Sequence, residues 1–245
     1  GPGGKTATLA PIAQGRGARI HANEPQEHRL DLVADFRRAV DKAIAGGTTL
    51  EEFRKDFDDI VARHGWQYNG GRDWRSKLIY DTNLHASYQA GRYEQQQEMK
   101  HLRPYWEYRH RDGQKHPRPE HEAWNGLVLH CDDPWWQTHY PVNAYGCKCT
   151  VFAHSKRSLE RRGLKVGEAP AIEWQQQLIG KNSSNPRLVD VPKGIDPGFD
   201  RIPGKNAGQD GLQRLFDKAS AVPPKLATHA MQQVLDDPRT RQMLN

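Results

Sequence analysis

Cysteine is scarce in this chain: three in 245 residues, an odd number and too few to staple a secreted domain of this length. Long hydrophobic runs are missing as well. Nothing approaches the ~18 consecutive apolar residues of a membrane-crossing helix, and the first 30 residues lack the apolar stretch of a secretion signal. Nor is there a block of one charge. The 36 Lys and Arg are interleaved with 30 Asp and Glu, so no basic arm is visible. The net charge of +6 and isoelectric point of about 9.2 still permit contact with an anionic partner. A soluble intracellular chain without a membrane span is the expectation.

Apolar residues are also few, 36% of the chain with a mean hydropathy of −0.92, which favours one modest core with long extensions. The 16 prolines and 22 glycines fall mostly outside the periodic segments. The opening GPGG resembles the remnant left when a protease removes a tag, so a longer native protein is expected.

The periodic segments come first. Residues 1–26 read as that remnant and a flexible arm. From Glu27, Leu30, Val33, Phe36, Val40 and Ile44 recur at helical spacing, and Gly46-Gly47 ends the run. Thr48 followed by Glu51 has the form of a capping box for a second helix with a stripe of Leu50, Phe53, Phe57, Ile60 and Val61. HGWQYNGG breaks it. A third helix is expected over about 73–100, marked sparsely by Trp74, Leu78, Leu84 and Tyr88. Asp81, Tyr88 and Arg92 share one of its faces, which is expected to be solvated.

After Pro104 the period shortens. YWEYRH, LVLH and CTVFAHS read as strands. RPEHEAWNG reads as a short helix opened by Pro119 and stopped by Gly126, and SKRSLERRG as another stopped by Gly163. A Pro-rich connector from Lys165 to about Gly208 is expected to wrap this domain or a neighbouring chain, with short helices near 209–220 and 224–235. The fold class is therefore α+β. A helical region spans 27–103, a small β-containing, motif-rich module spans 104–165, and 166–245 form the extended connector and C-terminal helices.

All three cysteines and three of the seven tryptophans lie between Arg118 and Val151. Cys147 and Cys149 form C-x-C, with Cys131, His121, His130, His139 and His154 nearby in sequence. Zinc takes thiolates and imidazoles in sets of four, so Cys147, Cys149 and His121 with one of Cys131, His130 or His139 make one reading, a structural zinc. The other is small buried residues at a tight turn after Gly146, with Cys131 able to oxidise against one of them. A third is catalytic: His121-Glu122, and His139 with Asn143, have the flavour of a metal-dependent nuclease or hydrolase, and a Cys-His pair is a nucleophile system for which nothing fixes a base or an oxyanion site. Trp124, Trp135 and Trp136 fit a compact plug against the strands.

The segment RPYWEYRHRDGQKHPRPEHEAWNGLVLHCDDPWWQTHYPVNAYGCKCTV resembles the C-terminal signature of the phage Mu F-like head morphogenesis family, the minor head proteins of tailed phages and prophages. The matching positions are Arg118, Pro119 and His121, then Gly126 and Val128, then Asp133 and Pro134, and finally Pro141, Asn143, Gly146, Cys147 and Cys149. Upstream, LIYDTNLHASYQAGRY is similar to the family's preceding helix, with Asn83 and Arg92 in place. The likeness covers roughly 28–165. It departs at Lys148, where Arg is more usual.

What the resemblance implies is a non-enzymatic virion protein with portal and capsid proteins as partners. It would act in head assembly near the portal, sit in the phage head interior after assembly in the host cytoplasm, and contact packaged DNA or carry an effector. On this reading the 118–151 stretch is a structural knot that fixes the last strand against RPEH.

Overall fold

The computed structural model describes residues 18–19, 26–111, 117–181 and 186–205. In chain order they form β1 (Ala18–Arg19), α1 (Gln26–Gly46), α2 (Leu50–His64), β2 (Gln67–Tyr68), α3 (Arg72–Glu98), β3 (Tyr105–Arg109), α4 (Pro119–Ala123), β4 (Val128–His130), α5 (Trp136–His139), β5 (Thr150–His154), α6 (Lys156–Arg162), β6 (Trp174–Ile179) and β7 (Arg187–Pro192). Helices dominate the first part and small antiparallel sheets the second, an α+β fold.

Two apolar clusters form. The first joins Leu32, Phe36 and Val40 of α1 to Phe53, Phe57 and Ile60 of α2, with Trp66 and with Ile79 of α3. The α2 stripe matches the helical period, but its cap lies one residue later than Thr48 and Glu51. Thr49 is the N-cap: its hydroxyl accepts from the Glu52 amide at 3.3 Å, and Glu52 accepts from the Thr49 amide at 2.8 Å. The TTLEE run offers both registers, and the chosen one leaves Leu50 to begin the helix. Within the expected breaker HGWQYNGG, β2 pairs with β1, so Ala18 and Arg19 are held within the arm that was expected to be loose.

The second cluster is aromatic. Trp106, Tyr108, Trp124, Trp135, Trp136 and Tyr140 are buried together with Cys147, Cys149 and Val151 around a sheet of order β4-β3-β5. Tyr105 pairs with His130 on one side and His154 on the other, and Arg109 pairs with Thr150. Across the sheet Glu107 and His154 form a buried pair at 2.8 Å.

Helix α3 serves both clusters, at 27 residues and therefore roughly 40 Å long. Of its expected marks, Trp74 and Tyr88 are exposed, while its buried positions include Thr82, Asn83, Ala86, Gln89, Ala90 and Gln96. The reason is what it packs against. An edge strand presents unpaired carbonyls, and polar side chains must satisfy them. Gln89 donates to the Cys149 carbonyl at 3.1 Å, and Arg92 and Gln96 both donate to the Val151 carbonyl at 2.9 Å. Arg92 thus lies against β5 rather than on a solvated face.

The expected connector is partly ordered structure: β6 and β7 make a hairpin. Beyond it, residues 193–205 form a strap on the chain's own core, with Ile195, Phe199 and Ile202 buried in the aromatic cluster. Gly204 passes so close to α3 that a Cβ there would sit 2.7 Å from that of Ala90. The helices expected near 209–220 and 224–235 lie outside the described residues.

Candidate functional site

The densest chemistry sits where the end of β3, helix α4 and the entry to β5 meet. Pro119 occupies the first turn of α4, where its missing N–H costs nothing, and places His121 at the middle of a five-residue helix. The turn at Gly146 (φ 70°) sends the chain into an extended run in which Cys147 and Cys149, two residues apart, face the same way. Lys148 points the other way, 3.7 Å from Asp81.

His121 Nδ1 lies 3.8 Å from Cys147 Sγ and 3.6 Å from Cys149 Sγ, and all three residues are buried. The other ring nitrogen, Nε2, lies 2.9 Å from the Gly194 carbonyl. A carbonyl only accepts, so Nε2 carries a proton, and Nδ1 is the ring nitrogen that faces the two sulfurs. The ring stacks on Trp124 at 5.2 Å. Gly194 is required where it is: its φ is +84°, and a Cβ would come within 2.7 Å of Glu120 Cβ and 2.9 Å of the Trp124 ring.

The thiols differ. Cys149 is held down to about 7, chiefly by the hydrogen bond from Cys147 and also by the neighbouring Tyr108 hydroxyl, against the opposing effect of burial. Cys147 is pushed up by that same hydrogen bond and by burial. Cys149 is therefore the sulfur of the pair that ionises first. A fourth donor stands nearby: His110 Nδ1, just after β3, is 3.5 Å from Cys149 Sγ.

Not every cysteine and histidine of the stretch joins this group. Cys131 follows β4 at the opposite end of the sheet, with His130 and Asp132. The register that pairs His130 with Tyr105 and Thr150 with Arg109 separates the two ends by roughly 13 Å. His139 stacks on Trp135 at 4.2 Å, and its Nδ1 faces the Thr138 hydroxyl at 2.7 Å. Burial brings it down to about 4. The Trp124 ring contacts both His121 and His139. His154 is taken by Glu107 and Ser158.

The remaining motif residues build the frame. Arg118 pairs with Asp196 of the strap at 3.0 Å, and Asp196 also accepts from the Tyr145 amide at 3.1 Å. Asn143, fully buried beside buried Pro141, accepts from the Tyr108 hydroxyl at 3.0 Å, and its backbone carbonyl accepts from the Asp196 amide at 2.9 Å. Asp133, just before Pro134, accepts from the Trp135 amide at 2.9 Å and so starts the turn into α5. Gly126 (φ 83°) turns α4 into β4, its amide donating to the Tyr108 carbonyl at 2.8 Å. Asn83 donates to the Ile79 carbonyl within α3 at 2.9 Å. The reading of the sequence missed His110 and Asp196; pairing YWEYR against TVFAH would have set His110 opposite Cys149.

Residues 34–152 match the family described as "Phage Mu protein F like protein". The chain is 30% identical over 245 residues to "Putative capsid assembly protein F" of Escherichia phage Mu, covering 88% of this chain and 54% of that one. It is 33% identical over 163 residues to "Mu-like prophage FluMu F protein" of Haemophilus influenzae, covering 62% of this chain and 39% of that one. The chain therefore spans about half the length, or less, of these curated relatives. No solved structure matches it.

Proposed function

The chain belongs, through residues 34–152, to the phage Mu protein F like family, and from that premise we propose that it acts as a non-enzymatic component of phage head assembly. One observation carries the reading: the likeness to a protein named for capsid assembly extends over 88% of this chain. The partners in this reading are portal and capsid proteins. The site is the phage head, and the host cytoplasm during assembly. A net charge of +6 spread among acidic residues suits weak, salt-sensitive contact with packaged DNA.

The build of the site supports a structural role. His121, Cys147 and Cys149 are buried, with Trp124 stacked on the His121 ring and the Gly194 carbonyl of the strap bonded to it. The nuclease reading drew on His121, His139 and the cysteine cluster, and His139 lies outside the group of His121, Cys147 and Cys149, stacked on Trp135 with its Nδ1 facing the Thr138 hydroxyl.

Deleting the gene from its phage or prophage, inducing, and imaging the lysate by electron microscopy tests the reading. Heads are expected to be missing or aberrant, and a copy supplied in trans should restore them. Normal, DNA-filled heads in its absence refute the assembly role. Incubating the purified chain with plasmid and Mg²⁺, Mn²⁺ or Zn²⁺ tests the alternative, since cutting abolished by His121→Ala establishes a nuclease.

A further inference from the structure

We propose that Cys147, Cys149 and His121 bind a structural zinc ion that pins the C-x-C run to α4, and that His110, whose Nδ1 stands beside Cys149 but outside that three-atom group, closes in as the fourth ligand. The site is independent of the role in head assembly. Three donor atoms, His121 Nδ1 and the two Sγ atoms, lie within 4.8 Å of one another.

Two sulfurs converge on one ring nitrogen. Nε2–H of His121 is committed to the Gly194 carbonyl, and Nδ1 faces the two sulfurs at 3.8 and 3.6 Å, where it can accept from only one of them. A cation among the three is bound by all of them at once. With Zn–S near 2.3 Å and Zn–N near 2.05 Å, tetrahedral geometry sets the N···S edge at about 3.6 Å. The two edges from His121, and the 3.5 Å edge from His110 Nδ1 to Cys149 Sγ, are of that length.

The surroundings fit as well. A metal-bound imidazole characteristically donates its other N–H to a carbonyl, which fixes tautomer and ring plane, and His121 does this to Gly194. Trp124 holds the same ring plane by stacking. Two thiolates and two imidazoles around Zn²⁺ are neutral overall, so the centre can be buried without an uncompensated charge. Thiolate and imidazole together select zinc over magnesium or calcium. With four protein donors no position is left open, and the ion is structural.

Tag-free full chain, purified without chelator, should carry about one zinc per chain by elemental mass spectrometry. Cobalt titrated into the metal-free chain should give the intense visible bands of a tetrahedral centre and a thiolate-to-cobalt charge-transfer band. Cys131→Ser should leave both unchanged. Cys147→Ser and Cys149→Ser should lose the charge-transfer intensity stepwise and weaken zinc by roughly 100-fold or more, beyond what a supporting residue gives. Should either variant fail to fold, the wild-type stoichiometry and cobalt spectrum decide. A wild-type chain with no zinc and no tetrahedral cobalt spectrum overturns the site. So does a Cys147–Cys149 disulfide, read by intact mass before and after reduction. His110→Ala with unchanged affinity and spectrum overturns His110 as the fourth ligand.

Discussion

At the scale of the residue, burial rather than charge pairing governs the aromatic core, and His139 reports on it. Its ring is buried against Trp135 and Trp124, which disfavours the protonated form and lowers its pKa from 6.5 to about 4. In the unfolded chain the ring protonates near 6.5. Between that value and about 4 the unfolded state therefore binds a proton that the folded state refuses. The stability is fully present above 6.5 and falls as the pH drops through that window, by about 2–3 kcal/mol between pH 7 and pH 4.5. Denaturant unfolding at the two pH values, repeated on His139→Gln, checks this. The variant's stability should fall less than that of the wild type by about this amount, and equal falls in the two proteins contradict it.

Among the elements, α3 carries the clearest consequence. Gln96 donates to the Val151 carbonyl at 2.9 Å and accepts from the Tyr140 hydroxyl at 2.9 Å, both in buried surroundings. Gln96→Ala strands the hydroxyl and removes one of two donors from the carbonyl, so a loss of about 2–3 kcal/mol is expected in denaturant melts. Gln96→Glu keeps the acceptor but sets a buried carboxylate oxygen against the Val151 carbonyl and is expected to cost at least as much. A loss below ~0.5 kcal/mol for Gln96→Ala contradicts the account of how the sheet edge is closed. The same contacts explain what the sequence showed and what it hid. Helices α1 and α2 bury apolar stripes, so their period was plain. In α3 the half that lies on β5 buries glutamines and alanines beside the half-buried Arg92, and such a face reads as solvated. The β6–β7 hairpin was hidden because Trp174, Leu178 and Leu188 are exposed, which blurs the alternation of a half-buried strand. The C-x-C run and His121 were legible because one turn and one short helix place them. His110 and Asp196 were not, because strand register and the docking of a strap 50 residues further on bring them in; the Tyr145 amide reaches Asp196 across |i−j| = 51.

For the whole molecule, the issue is whether the two clusters behave as one. Ile79 belongs to the helical cluster and Ala86 to the aromatic one, and a single uninterrupted helix carries both. Unfolding either cluster exposes one end of α3, and fraying that end removes partners from the other. Among the described residues α1, α2 and α3 make most of the helix that far-ultraviolet circular dichroism reads, whereas four of the seven tryptophans, Trp106, Trp124, Trp135 and Trp136, report from the aromatic cluster. The two signals should therefore melt together in the wild type. Ser87→Pro places a proline inside α3 beyond Ile79, removing a helical hydrogen bond and forcing a kink at a cost of about 3 kcal/mol. With the connection weakened, the helical signal should melt first while the aromatic core, closed by its own strap, survives to higher temperature. Transitions that are already separate in the wild type mean that α3 does not couple the clusters. Transitions that stay coincident in Ser87→Pro mean that the coupling runs through other contacts.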